Sequence, residues 1–246
     1  MPKLIFLLHL SNADLSTIIF KNCFRTFSSI QIVHSVIDVD EYAELKQLYR
    51  KLVCNTNIKQ FSFDVIRKIK GCTSIDNSFD TSKIKLVFFK GQISGLCGFA
   101  GTDSIYISLY GIKDVNHQMN ENLKTTSKMI IQKLNFVRLI QHEMAHFILQ
   151  YAADDLNVST SDFLNNSNKG AGFLAEIERF EGRIDWVQSS FNADFNIKYC
   201  EQYLREVEAN QDKKFDINTA RVELGSSEIC SITLDMCTRN FRQGKS

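Results

Sequence analysis

The sequence predicts an α+β fold in which a small mixed sheet packs on a long helix and on a second helix that follows it. Two runs, 84–90 and 103–109, have the composition and alternation of strands. Glycines punctuate the residues between them, so we expect the two strands to form a hairpin. After this hairpin, hydrophobic residues recur with a helical period from about residue 127 to about residue 151.

Size and composition indicate a globular protein with a substantial hydrophobic core. The chain has 246 residues, of which 44% are hydrophobic and 23% are charged, and these proportions are typical of soluble domains. A formal net charge of +1 provides no electrostatic basis for binding nucleic acid. No apolar run approaches the roughly 20 residues of a membrane-spanning helix, so we expect no membrane span.

The cysteines indicate a reducing compartment. They are seven in number, scattered along the chain, and include no C-x-x-C pair, so neither a disulfide framework nor a cysteine-based zinc site is expected. This favours a cytoplasmic location. A secreted location stays open, because the apolar run 4–10 after Lys3 resembles a short signal peptide, although a buried first strand is the favoured interpretation.

The first 80 residues contain no chemical motif and are interpreted as an accessory α/β region or as part of the same domain as residues 81–246. The runs 3–10 and 30–37 have strand character. Asp40 is placed to cap a helix, and a further short helix is expected over 61–69, closed by Gly71.

The long helix contains an H-E-x-x-H sequence, formed by His142, Glu143 and His146. Residues four apart lie on one face of a helix, so the two imidazoles can reach one metal ion. Glu143 is then placed to polarise a metal-bound water. The opposite face is an apolar stripe suited to a core, made of Val137, Ile140, Met144, Phe147, Ile148 and Tyr151. The structural alternative is an ordinary amphipathic helix whose histidines are hydrogen-bonded or solvated.

A catalytic zinc site needs a third protein ligand, and no histidine follows His146 in the chain. A carboxylate is the remaining choice. On a second helix, expected over 173–188, Glu176 is the carboxylate most easily turned inward. Glu181 and Asp185 on the same helix, and Glu206 on a third helix expected over 197–210, stay open as alternatives.

From 134 to 188 the chain resembles the zincin metallopeptidases whose third ligand is a glutamate, the gluzincin-like group. The resemblance covers under half of the chain and assigns no specific family. It implies a zincin-like fold, a Zn²⁺ cofactor held by His142, His146 and Glu176, and hydrolysis of a peptide or protein substrate with Glu143 activating a zinc-bound water. The alternative is a catalytically inactive zincin-like protein that acts as a binding or scaffold module.

Two supporting roles stay open between several residues. The candidates for stabilising the oxyanion of the transition state are Tyr199, Tyr203, His117 and Arg183. The candidates for orienting the imidazoles are Asn135, Asp154 and Asp155.

Overall fold

The computed structural model describes residues 31–32, 42–71, 79–90, 97–101, 103–153, 170–211 and 213–225. The helices in these ranges are α1 (Ala43–Cys54), α2 (Thr56–Lys70), α3 (Leu109–Gln118), α4 (Thr125–Ala153), α5 (Ala171–Phe180), α6 (Trp186–Ser189), α7 (Ile197–Glu208) and α8 (Ile217–Ala220). The strands are β1 (Gln31–Ile32), β2 (Lys85–Lys90), β3 (Gly98–Ala100) and β4 (Ser104–Ser108). The predicted α+β class is confirmed.

The four strands form one mixed sheet in the order β1-β2-β4-β3. β2 and β4 pair in parallel, from Lys85 opposite Ser104 to Phe89 opposite Ser108. The predicted pairing of 84–90 with 103–109 as a hairpin is therefore wrong. Parallel neighbours need a crossover connection, and the connection between these two strands contains β3, which pairs antiparallel with the far side of β4. The hairpin ahead of the long helix is β3–β4.

The long helix, α4, is the centre of the fold. It extends from Thr125 to Ala153, close to the predicted limits. Its apolar side chains Ile140, Met144 and Ile148 are almost completely buried, because α1, α2, α5, α7 and the β3–β4 hairpin all pack around it. The same neighbours enclose polar side chains of α4, so this helix forms one side of a buried polar site.

Helices α1 and α2 belong to the same hydrophobic core as α4, as the complete burial of Ile66 illustrates. α2 begins five residues earlier than predicted, because the Asn55 side chain caps its first turn and also donates to the carbonyl of Val207 at the end of α7. Gly71 ends α2 in the left-handed conformation, with φ of 62°, as predicted. The described part of residues 1–80 thus packs with residues 81–246, and the domain boundary near residue 80 stays a prediction.

The predicted helix over 173–188 is instead two helices. α5 ends at Phe180, because Glu181 adopts a left-handed conformation with φ of 58° and is followed by Gly182. The chain then runs extended, with Ile184 bridging Leu224, and α6 begins at a cap formed by the Asp185 side chain. The third predicted helix is confirmed as α7, two residues shorter than expected.

Several predictions lie outside the described residues. These are the strand over 3–10, most of the strand over 30–37, the cap at Asp40, and the two acids Asp154 and Asp155. Within the described ranges, no helix is both long enough and apolar enough to cross a bilayer.

Candidate metal centre

One face of α4 presents Arg138, His142 and His146, because each follows the previous one by four residues. The ring centroids of the two imidazoles are 5.1 Å apart, and the ring planes are inclined at 54°. The two predicted histidines are thus brought together, at a separation that lets both rings approach one ion.

The first turn of α5 lies directly against these rings, and glycine makes this possible. A Cβ atom at Gly172 would lie 2.5 Å from both Cγ and Nε2 of His142, well inside van der Waals contact. At Gly170 it would lie 3.3 Å from Cε1 of His146. Without a side chain at position 172, α5 can pack closely enough to bring the Glu176 carboxylate to His142.

Glu176 on α5 contacts the site through one carboxylate oxygen. Its Oε1 lies 2.7 Å from Nδ1 of His142 and 2.7 Å from Nη1 of Arg138. The side chain is 1% exposed, and Oε2 is buried without a hydrogen-bond partner in the described part of the chain. Burial acts to raise the pKa of Glu176, but Arg138 and His142 outweigh burial and lower this pKa below its usual range. Glu176 is therefore a buried anion, and one of its two oxygens has no hydrogen-bond partner in the described part of the chain.

The contact with Glu176 determines where His142 holds its proton. An ionised carboxylate only accepts hydrogen bonds, so Nδ1 of His142 donates to Oε1. Nε2 is then the nitrogen that offers a lone pair in the neutral ring. Burial disfavours a charge on this ring, yet the hydrogen bond to Glu176 and the charges of Glu143 and Glu176 together raise the pKa of His142.

Glu143 lies beside His142 and beneath the edge strand β3. Its side chain is buried, and a Cβ atom at Gly98 would lie 3.0 Å from its Oε1, so the strand passes close to the carboxylate. Burial raises the pKa of Glu143 to about 7, and the charge of His142 opposes this only in part. A carboxyl group with a pKa near neutrality can accept a proton and return it at physiological pH.

These residues form a donor set that fits zinc. Nε2 is the His142 nitrogen left for a metal once Nδ1 is bonded to Glu176. Burial together with the neighbouring His142 lowers the pKa of His146 to about 3, so His146 is neutral, which is the form that binds metal. The unpartnered Oε2 of Glu176 could add a carboxylate oxygen once the contact of Oε1 with Nδ1 is released, because Nδ1 and Nε2 lie on opposite sides of the ring. Two imidazoles and one carboxylate are the protein ligands of a common kind of catalytic zinc site.

The position of Glu176 is compatible with two roles. Over the described ranges, no three or more His, Cys, Asp or Glu side chains converge in the geometry of a metal site. Glu176 approaches His142 at Nδ1, which is also how a carboxylate orients a metal-binding imidazole. Its assignment as the third ligand therefore stays a prediction.

The alternative carboxylates are engaged elsewhere. Glu181 is exposed at the end of α5, and the side chain of Asp185 caps α6. Glu206 accepts a hydrogen bond from Gln202 on an exposed face of α7. Of the four carboxylates considered, Glu176 is the one whose hydrogen bond reaches an imidazole in the described structure.

The candidates for the supporting roles are also separated by the structure. Two tyrosine hydroxyls have structural partners, since Tyr199 accepts from the backbone N–H of Asp216 and Tyr203 accepts from Arg179. His117 is exposed at the end of α3. Arg183 is close enough to help lower the pKa of Glu176.

Sequence reasoning missed Arg138. Asn135, one of the three candidates for orienting an imidazole, instead accepts hydrogen bonds from Nε and Nη2 of Arg138 at 3.2 and 3.0 Å. The sequence did contain a signal for Arg138. This residue lies four positions before His142, on the same face of the helix, and the residues next to it in the sequence are apolar.

Replacing Gly172 with Ala is expected to weaken zinc binding and to lower the free energy of unfolding by about 1–3 kcal/mol, the usual effect of overpacking. The new methyl group would displace either the His142 ring or the first turn of α5. Thermal unfolding and zinc titration measure the two effects.

Gly111→Ala in α3 is the matched control, because its Cβ atom would lie 3.6 Å from Sγ of Cys97, an ordinary contact. This variant should bind zinc as the wild type does. Equal zinc affinity in the two variants would contradict the close packing of α5 on His142.

Comparisons of this chain with protein-family models, with curated proteins and with solved structures found no match.

Proposed function

We propose that this protein is a metallopeptidase that hydrolyses peptide bonds with zinc held by His142 and His146, and with Glu176 either as the third ligand or as the carboxylate that orients His142. The observation that carries the proposal is the contact of the buried Glu176 carboxylate with His142, one of two neighbouring imidazoles on α4, beside the buried carboxyl group of Glu143. When bound there, zinc would lower the pKa of water toward about 7 and polarise the carbonyl of the substrate.

Glu143 supplies proton transfer in this proposal. Its carboxylate takes a proton from the attacking water and returns it to the amine that leaves when the peptide bond breaks. The raised pKa of about 7 supports this role, because the group then exchanges a proton readily in both directions near neutral pH.

The edge strand β3 provides a place for an extended substrate. β3 is the last strand of the described sheet and has a neighbouring strand, β4, on one side. An extended peptide can add to such an edge through main-chain hydrogen bonds. Because Gly98 of β3 lies close to Glu143, a peptide paired with this edge would pass near the carboxylate.

Metal analysis and a hydrolysis assay on the same purified protein test the proposal. We expect about one zinc per chain, as for a single site with three protein ligands. We also expect cleavage of casein or a peptide library that is abolished by a zinc chelator and restored by added zinc. A folded protein that takes up no zinc would refute the zinc site. A protein that binds zinc but cleaves no peptide would instead support the alternative of a binding or scaffold module.

A further inference from the structure

Arg138 connects the H-E-x-x-H helix to the carboxylate on α5. Its guanidinium group donates through Nη1 to Oε1 of Glu176 at 2.7 Å, and through Nε and Nη2 to Oδ1 of Asn135. The Arg138 side chain is 8% exposed and that of Glu176 is 1% exposed. All three contacts are therefore shielded from water.

Because this ion pair is buried, it is stable only when its geometry is favourable. Removing a guanidinium group and a carboxylate from water carries a desolvation penalty of several kcal/mol per ion, which only good geometry and further hydrogen bonds offset. Asn135, one turn before Arg138 on α4, provides those further bonds and holds the plane of the guanidinium group. An arginine is suited to this task because its donors lie in a rigid plane, whereas a lysine would offer a single mobile ammonium group.

The two oxygens of Glu176 have different surroundings in the candidate metal centre. Oε1 receives hydrogen bonds from both Arg138 and His142. Oε2 has no partner in the described structure. The guanidinium group and the imidazole thus share one oxygen of Glu176.

We propose that Arg138 is a positioning residue of the metal centre, which holds Glu176 so that Oε1 accepts the Nδ1 proton of His142 and thereby orients that ring, with Nε2 as its metal-binding nitrogen. This inference rests on the proposed zinc site and assigns Arg138 a role in the affinity of that site. Arg138 acts through Glu176 and His142, without contact to the substrate.

Three variants of the full chain test this role: Arg138→Gln, Arg138→Lys and the control Arg205→Gln. Arg205 is an exposed arginine on α7 that pairs with Glu201, so its loss removes a guanidinium group that pairs with a different carboxylate. The measurements are the zinc dissociation constant by competition with a chromophoric chelator, the unfolding temperature of the metal-free protein, and the NMR signal of the hydrogen-bonded Nδ1 proton of His142 in the metal-free protein. A His142→Gln variant assigns that signal.

We expect Arg138→Gln to weaken zinc binding by about 10–100-fold, the usual effect of losing a partner that orients a metal ligand. The Nδ1 proton signal of His142 should disappear through exchange with water, because Glu176 is no longer held against the ring. Arg138→Lys keeps the charge but loses the planar contact with Asn135, so it should retain the Nδ1 signal and weaken zinc binding by less than ~10-fold. Arg205→Gln should match the wild type in both measurements.

The inference is overturned if Arg138→Gln folds, keeps the Nδ1 signal and binds zinc as the wild type does. A purely structural role would lower the unfolding temperature of Arg138→Gln while leaving the zinc affinity of its folded form unchanged, and this result also overturns the inference. If Arg138→Gln fails to fold, wild-type zinc affinity in Arg138→Lys together with loss of its Nδ1 signal would overturn it.

If the proposed zinc site does not exist, the same measurements give a different set of results. In that case the wild type itself binds no zinc, whatever residue stands at position 138, and the role of Arg138 in zinc affinity falls with it. The Nδ1 signal then decides separately whether Arg138 holds Glu176 against His142, because persistence of that signal in Arg138→Gln would refute the positioning.

Discussion

Replacing Glu143 with Gln is expected to leave zinc bound and to lower kcat by about 10²–10⁴-fold, the range that general acid–base catalysis contributes. Glutamine has nearly the same shape as glutamate, so it fills the buried position under β3, but it cannot accept the proton from water. We therefore expect the loss to appear in kcat and to leave the zinc content of the protein unchanged.

The control for this variant lies in the same measurements. Zinc content by metal analysis and the unfolding temperature should both remain close to those of the wild type, because neither imidazole is altered. Full hydrolytic activity in Glu143→Gln would show that another group moves the proton. Loss of zinc in this variant would show that Glu143 helps to hold the metal, contrary to its assigned role.

Of the carboxylate substitutions considered, Glu176→Gln is expected to weaken zinc binding the most. If Glu176 is a ligand, the affinity should fall by more than the ~10–100-fold that follows loss of an orienting partner. The metal-free protein should also lose about 3–5 kcal/mol of stability, because Arg138 is left as a buried charge without its anion. Zinc titration and chemical denaturation measure these two effects.

Glu206→Gln is the matched control, since Glu206 was an alternative candidate ligand and its side chain accepts a hydrogen bond from Gln202 on an exposed face of α7. Its stability should change by less than ~0.5 kcal/mol, as for an exposed residue, and its zinc affinity should not change. The opposite result, with zinc lost in Glu206→Gln and retained in Glu176→Gln, would exchange the two assignments. A loss of zinc affinity in Glu176→Gln within the 10–100-fold range would assign Glu176 the orienting role.

The long-range arrangement of the strands could not be predicted from the sequence. The runs 84–90 and 103–109 were recognisable as strands from their composition, but their direction relative to each other depends on the path of the connection. β3 is only three residues long, too short for an alternating pattern to reveal it. Its pairing with β4 reverses the expected relationship between the two longer strands.

The end of α5 could not be predicted from the sequence either. In the run 173–188, apolar residues recur at helical spacing past residue 180 to Ile184 and Val187, so periodicity predicts one helix. Glu181 nevertheless takes a left-handed conformation, and the chain instead bridges Ile184 to Leu224. Tertiary packing overrides local preference here, because glutamate is by itself a favourable helix residue.

By itself, the sequence determined the α+β class, the extent of α4 and the placement of His142, Glu143 and His146 on that helix, since each of these follows from local periodicity and spacing. It also ranked Glu176 first among the distant carboxylates. Only the tertiary structure decided that Glu176 reaches His142, that Gly172 makes room for α5, and that Arg138 hydrogen-bonds to the same carboxylate. These contacts join residues 30 or more positions apart, and they depend on how two helices pack, which a one-dimensional pattern does not specify.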